Sequence, residues 1–534
     1  MSVDTGTTQG ALKPNESHAR QWRGFGVGFV VKLILMGLVN ALGVSIILSA
    51  WNVEAWGVLA ASTALLVVAD IIYFTRRMLP LKYIYPGLVF LLVFQIFTLG
   101  YTAYVAFTNY GTGHAGSMQQ AVDAALIQDE RRVEDLPSYP LAIVDNGSEI
   151  GFAVTDADGI VQVGTAEEPL APVDGATVDE DTRPTEVPGW EIVPRSELFA
   201  DPDLQEAVTE LRVPVSDDAE DGSLRTRDGS SAAVYGSSLE WDPETATLTN
   251  TETGVVYHAT ETGNFVADDG TRLPTGWVVT VGFDNFVRAV TDSTLAQPLL
   301  KVTAWTFAFA ILTVLTSFGL GLLFAIIYND PRIRARRTLR TLFILPYAFP
   351  AFMSALLWQG MLNREFGIIN DWFFFGADIN WLGDPFLAKV AILWVNLWLS
   401  YPYWFLVCTG ALQSLPGETM EAARIDGAGR WRQFRSITLP LLMISTAPLA
   451  IASFAFNFNN FTIIYMLTEG GPPFAGTSGL GSTDILISAI YNISGVSGGA
   501  ADYGLASALS IVVFVVVGVI SAIAFRQTRK LEEI

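Results

Sequence analysis

The sequence predicts an all-α polytopic membrane protein of eight transmembrane helices, carrying one inserted, mainly β extracytoplasmic domain. Three observations lead there. Only 16% of the 534 residues are charged while 51% are hydrophobic, against roughly 25% charged in soluble chains. Eight apolar stretches reach the about 20 residues that a helix needs to cross hydrocarbon. The net charge of −22 is concentrated in one place: residues 109–285 hold 35 acids against 8 bases, and the rest hold 18 against 23. The chain is therefore an acidic soluble domain set into a weakly basic apolar body.

The apolar stretches are 25–48, 55–74, 84–107, 298–328, 341–362, 386–413, 441–468 and 503–525. Lys32, near the start of the first, can snorkel to the interface. That stretch exceeds the about 7–15 apolar residues of a cleaved signal peptide, so it reads as a retained helix. Basic residues fall on alternate connections: Arg20 and Arg23; Arg76, Arg77 and Lys82; Arg332, Arg334, Arg336, Arg337 and Arg340; Arg424, Arg430, Arg432 and Arg435; Arg526, Arg529 and Lys530. With eight spans all five groups lie on one side, which the positive-inside rule makes cytoplasmic. The expected division is a cytoplasmic N-terminus at 1–24, three spans at 25–108, the acidic domain outside at 109–285, and five spans at 286–534. Both termini are then inside.

The outer domain reads as strand-rich. Residues 154–161 have turn residues between β-branched flanks and suggest a hairpin, and further turns are expected at Gly254, Gly263 and Gly270. Asp156-x-Asp158-Gly159 shares part of a calcium loop, but no coordinating Glu follows, so a solvated turn is expected and no metal. The single cysteine, Cys408, rules out an internal disulfide, and three scattered histidines give no metal-ligand spacing. The string G-x-x-x-x-G-K-[ST] is absent. Nucleic acid is a poor match as a partner, because the largest soluble part would repel phosphate.

Residues 414–440 form the most informative connection. Pro416 and Glu418 suit the first turn of a helix, and Gly427 and Gly429 suit a helix end. A basic amphipathic stretch, 431–437, then leads to Pro440 and the next span. Two short helices meeting at an angle are expected, a rigid protrusion able to receive force from a motor. Glu421-Ala422-Ala423, then Gly427, then Ile437-x-Leu439-Pro440 resembles the EAA signature of ABC importer permeases at every spaced position.

The resemblance extends over about 83–530. Phe107-Thr-Asn109-Tyr110, Leu345-Pro-Tyr347-Ala, Tyr401-Pro402-Tyr403 and the segment 451–461 followed by Gly470-Gly-Pro472 are similar to the larger membrane subunit of maltose-type importers. So is a large domain inserted after the third span. The resemblance implies the ABC importer permease fold in a prokaryotic cytoplasmic (inner) membrane. It implies partnership with a second, shorter homologous permease, two copies of an ABC ATPase that hold ATP and Mg, and an extracytoplasmic sugar-binding protein. No cofactor is expected in this chain and no bond-breaking chemistry of its own. Glu421, Ala422, Ala423, Asp426 and Gly427 are implied to couple the chain to the ATPase.

The seventh span sets Ser453, Phe456, Asn457 and Asn460 at i, i+3/i+4 spacing, which places them on one helical face. A hydroxyl, a ring and two carboxamides fit a sugar's hydroxyl rim and apolar faces. They equally fit interhelical hydrogen bonding, which uses Ser and Asn in membranes. The resemblance adds Tyr347, Leu399, Ser400 and Tyr403 as maltose- or maltodextrin-contacting positions, with Ser400 standing where the family has glycine. Two rival classes remain at this point. A sugar sensor would need an effector surface in place of the docking loop. A secondary symporter would be expected to carry an acidic relay, and the eight stretches hold only Asp70. The outer domain's acidity fits either a basic patch on the binding protein or plain solubility.

Overall fold

The computed structural model describes residues 27–75, 78–133, 136–156, 158–216, 221–330, 332–476, 479–496 and 498–532. The expected N-terminal segment 1–24, Arg76, Arg77 and the side chains of Arg529 and Lys530 lie outside the described residues. The chain forms two compact units, divided between Tyr101 and Thr102.

Among the described residues seven helices are long and apolar enough to cross a membrane, and the number is eight when one bent pair is counted as a single span. The first unit holds α1 (Val27–Asn52), α2 (Trp56–Phe74) and most of α3 (Leu79–Ala106). Most of their large apolar side chains are exposed, as expected of surfaces solvated by lipid. Asp70, the one acid expected in the spans, accepts a hydrogen bond from Asn40 Nδ2 at 3.0 Å, so it serves helix pairing.

In the second unit, α4 (Met118–Asp129) belongs to the inserted domain and α5 (Asp284–Thr291) leads back to the membrane body. The body comprises α6 (Ser293–Asn329), α7 (Arg336–Ala348), α8 (Ala351–Met361), α9 (Pro385–Gln413), α10 (Gly417–Ile425), α11 (Arg430–Phe458), α12 (Phe461–Thr468), α13 (Leu486–Ile493) and α14 (Tyr503–Glu532). The stretch 341–362, expected as one helix, is α7 and α8 bent by 93°. Pro350 explains the break: it lacks an N–H and forces the preceding residue out of the helical region, and Phe349 is extended at ψ 137°. The stretch 441–468 is also divided. α11 stops at Phe458, and Asn459 and Asn460 separate it from α12. Asparagine side chains compete with the backbone for hydrogen bonds and favour helix ends. α6 and α9 pack closely, because Gly321 brings the backbones together: a Cβ there would lie 2.6 Å from Trp404 Cβ and 2.7 Å from Phe405 N.

The inserted domain is mainly β, as expected, and its described residues form two large sheets and a two-stranded one, Thr177–Val178 with Pro184–Glu186. One has six strands in the order His114–Gly116, Arg272–Trp277, Asn264–Ala267, Val256–Ala259, Thr247–Asn250, Leu239–Asp242. α4 packs on it through Ala121, Val122 and Ala125 against Leu248, Phe265 and Trp277. Gly254, Gly263 and Gly270 have positive φ in the turns between its strands. The second sheet has nine strands and includes the expected hairpin, Ile150–Thr155 with Val161–Thr165. In its turn the Asp156 carboxylate accepts from the N–H groups of Asp158 and Ile160. That is a turn closed on itself, and among the described residues no cluster of three metal-ligating side chains occurs.

Entry to and exit from the inserted domain lie side by side. Thr108 bridges Thr280, and the Asn109 side chain donates to Thr262 O and Trp277 O while accepting from Val279 N–H. Asn285 Nδ2 donates to the carbonyls of Ala106 and Thr108. This neck is tied to the start of α14 by an Arg288–Asp502 ion pair at 2.8 Å and by Thr112 N–H donating to Ala501 O.

Between α12 and α13, outside the helices of spanning length, Asp484 is fully buried. Burial pushes its carboxyl up to about 6 from an ordinary 3.8, against hydrogen bonds from Ser488, Gly481 and Asn492. The folded chain thus binds this proton more tightly than the unfolded chain. The favourable contribution is full below pH 3.8 and is lost as pH rises through about 6, a swing of about 3 kcal/mol. Purified protein is expected to melt at higher temperature at pH 5 than at pH 8, and Asp484→Asn to flatten that slope. Identical slopes for both proteins would refute the assignment.

Candidate substrate cavity and coupling helix

The two helix breaks face one another across a cavity of about 570 Å³ lined by residues of α7, α8, α9, α11 and α12. All eight side chains singled out for sugar contact line it: Tyr347, Leu399, Ser400, Tyr403, Ser453, Phe456, Asn457 and Asn460. Tyr347 comes from the last turn before the 93° bend, and Asn460 lies in the interruption between α11 and α12. Irregular backbone at membrane depth is tolerated where it lines a cavity. Phe456 and Tyr347 present open faces, at 69% and 57% exposure. None of the described lining residues carries a charge.

The arrangement of the seventh stretch differs from the one its spacing predicts. Ser453, Phe456 and Asn457 share a turn of α11, but Asn460 lies past its end, so the four do not form a continuous helical face. Asn457 is also only 2% exposed. Its Nδ2 donates to Ser453 O at 2.8 Å and its Oδ1 accepts from Asn396 Nδ2 at 2.9 Å. Interhelical bonding, one of the two roles open for these polar groups, is thus occupied by Asn457. Asn460 and Ser453 are half-buried at the cavity wall.

The connection 414–440 holds α10 and the start of α11. Pro416 is the N-cap of α10, one position earlier than the first turn. At its other end Gly427 has φ 75°, Gly427 N–H donates to Arg424 O at 3.0 Å, and Ala428 N–H donates to Ala423 O at 2.9 Å. This pair of bonds is a Schellman cap, which requires the left-handed residue. Gly429 is different from expectation: it is extended, at φ −64° and ψ 161°, and caps the start of α11. The amphipathic stretch 431–437 does not form a separate helix before Pro440. It runs into the span through a π-helical turn, Phe434–Thr438, in which Leu439 N–H donates to Phe434 O. The wider turn accommodates Pro440, which has no N–H to give. Glu421, Ala422, Asp426 and Gly427 are exposed, whereas Ala423 is 8% exposed. Ile425 and Trp431 project at 86% and 69% exposure.

Comparison with known proteins agrees with this architecture. Residues 317–531 match the family described as binding-protein-dependent transport system inner membrane component. Residues 89–167 match the N-terminal of TM subunit in PBP-dependent ABC transporters. The maltose/maltodextrin transport system permease protein MalF of Vibrio vulnificus (strain YJ016) is 35% identical over 507 residues, covering 92% of this chain and 93% of its own. The chain belongs to the MalF family. The MalF of Escherichia coli (strain K12) is 33% identical over 470 residues, covering 86% and 88%. Among solved structures, a bacterial ABC transporter involved in import of the acidic polysaccharide alginate is 25% identical over 47% of this chain and 84% of its own, with a TM-score of 0.40.

As a MalF-type permease the chain is a multi-pass inner-membrane subunit of an ABC importer complex and not an enzyme. Its cavity includes residues that sequence reasoning does not single out. Asn396, in α9, is 2% exposed and donates to Asn457 of α11. A signal for it exists, since a lone carboxamide inside an apolar span carries the same cost that draws attention to the seventh stretch. Phe349, Trp404 and Thr462 also line the wall. Only the bend and the chain break bring Phe349 and Thr462 there.

Proposed function

We propose that this chain is the sugar-path permease of a binding-protein-dependent importer of maltose or maltodextrins, working by alternating access. The observation that carries the reading is the uncharged cavity, with eight anticipated side chains gathered around two interrupted helices. Its volume lies within the roughly 300–1,000 Å³ of small-molecule sites. Tyr347, Phe456 and Tyr403 offer rings to the C–H faces of a glucoside, Leu399 an apolar edge, and Ser400, Ser453 and Asn460 hydrogen bonds to hydroxyls. Asn457 then contributes from behind, holding α9 to α11. A wall without charge suits a neutral glucan better than an anionic one.

The partners in this reading are a second permease, two ATPase subunits that bind and hydrolyse ATP, and an extracytoplasmic binding protein that reaches the outer domain. Arg332, Arg334, Arg336 and Arg337 argue for a cytoplasmic position of their connection, on the same side as α10, so both termini are inside. α10 docks on an ATPase through its exposed face around Glu421, Ala422, Asp426 and Gly427, with Ile425 and Trp431 as apolar anchors. Ala423 packs toward the permease. Nucleotide-driven motion of α10 passes directly into α11, because the two are joined by the Gly427–Gly429 turn. Alternating access follows as a two-state equilibrium biased by nucleotide and sugar.

The test is ATP-driven uptake by the assembled complex in liposomes, with binding proteins loaded with different sugars. Maltodextrin uptake is expected, and Phe456→Ala is expected to slow it about tenfold, or about 1.4 kcal/mol, with normal assembly. Uptake that needs no ATP, or a Phe456→Ala complex as fast as wild type, would overturn the reading.

A further inference from the structure

Behind the cavity, three helices are joined by a chain of carboxamides. Asn396 Nδ2 donates to Asn457 Oδ1 at 2.9 Å and to Thr313 Oγ1 at 3.1 Å. Asn457 Nδ2 donates to Ser453 O at 2.8 Å and approaches Ser453 Oγ at 3.5 Å. Asn460 Nδ2 reaches Asn396 Oδ1 at 3.5 Å. Thr313, Asn396 and Asn457 are exposed by 1%, 2% and 2%. Thr313 belongs to α6, and no described residue of that helix lines the cavity.

The orientation of every amide in this chain is determined from one end. The Ser453 main-chain carbonyl can only accept, so Asn457 turns its NH₂ toward it and its oxygen toward Asn396. Asn396 must then offer its NH₂, and the second hydrogen of that NH₂ needs an acceptor in a space closed to water. Thr313 Oγ1 is that acceptor. With both hydrogens of Asn396 engaged behind the wall, its oxygen faces Asn460, whose amide borders the cavity. A buried amide hydrogen without a partner is costly, so loss of the Thr313 oxygen favours rotation of Asn396 and misaligns Asn460.

We propose that Thr313 is a positioning residue for sugar transfer: it orients Asn396, and through it Asn460, so that the cavity presents a defined hydrogen-bonding edge to a hydroxylated substrate. This rests on the sugar-path reading above. Thr313 itself does not touch sugar.

The experiment compares wild type, Thr313→Val and Thr313→Ser in the complete importer in liposomes, measuring maltodextrin taken up per ATP hydrolysed with saturating loaded binding protein. Val keeps the shape and removes the acceptor; Ser restores it. Thr313→Val is expected to lower the uptake-to-ATP ratio about tenfold while ATP hydrolysis stays within about twofold of wild type. Thr313→Ser is expected to restore the ratio. An unchanged ratio in Thr313→Val, or equal impairment in Thr313→Ser, overturns the proposal. Thr313→Ala replaces Thr313→Val if the latter does not assemble, and failure of both to assemble also overturns it by making Thr313 a folding determinant. A wild-type complex that moves no maltodextrin would instead defeat the sugar-path reading, which separates the two outcomes.

Discussion

Gly427→Pro is expected to all but abolish ATP-driven uptake while leaving an inserted, folded permease. Gly427 sits at φ 75°, whereas proline is confined near −65° and has no N–H. The substitution therefore removes the Gly427–Arg424 hydrogen bond and makes the left-handed geometry unattainable, so the Ala428–Ala423 bond fails with it. What changes is the angle at which α10 meets α11, since Gly429 caps the start of α11 only two residues later. Couplings between sites are typically 1–3 kcal/mol, or about 5–150-fold, and a displaced docking helix is expected to lose the upper part of that range, on the order of 100-fold in uptake. Gly427→Ala, which can reach the left-handed region at about 1–2 kcal/mol, should keep a measurable fraction. The measurements are uptake in liposomes and recovery of the ATPase with the tagged permease. Full uptake by Gly427→Pro would remove α10 from the coupling path.

The second large effect is on folding. Gly321→Leu is expected to yield little folded protein, because the atoms that a side chain would meet belong largely to the α9 main chain. Beyond the Trp404 and Phe405 approaches already given, the Trp404 carbonyl carbon lies 2.7 Å from where the Cβ of an alanine at 321 would sit. Overpacking of a close interior commonly costs about 1–3 kcal/mol and sometimes more, and here neither helix can yield without opening the packing around Phe318, Trp404 and Phe405. Gly319 is a matched control two residues away, because nothing lies within 4 Å of a Cβ there. Size-exclusion profiles in detergent distinguish the cases: Gly319→Leu should give the wild-type peak and Gly321→Leu a depleted or aggregated one. Matching profiles would show that the two helices can separate at small expense.

Much of the architecture is visible in the amino-acid order, because hydrocarbon imposes one requirement on every span. The same averaging that reveals spans conceals their interruptions. A window over 441–468 is apolar throughout, and two asparagines at 459 and 460 barely alter it, although they end a helix. Pro350 is a local sign of the other break, but the sharpness of the 93° turn depends on tertiary packing. Helical spacing correctly groups Ser453, Phe456 and Asn457 and fails at Asn460 for the same reason. Spacing also cannot tell which carboxamide is turned inward: Asn457 spends its hydrogen bonds on Ser453 and Asn396, and only the position of α9 reveals that. In the connection 414–440, Gly427 and Gly429 look interchangeable as letters. One has positive φ and the other is extended because one closes a helix and the other opens the next.

The bridge between Thr108 and Thr280 gives the inserted domain the attachment of a cassette. Since the polypeptide leaves and rejoins the membrane body at one point, gain, loss or exchange of those residues leaves the path of the remaining chain undisturbed. A short hairpin could close the same gap. The inserted domain is therefore separable from the helical body as a unit of the chain, without any rearrangement of the helices.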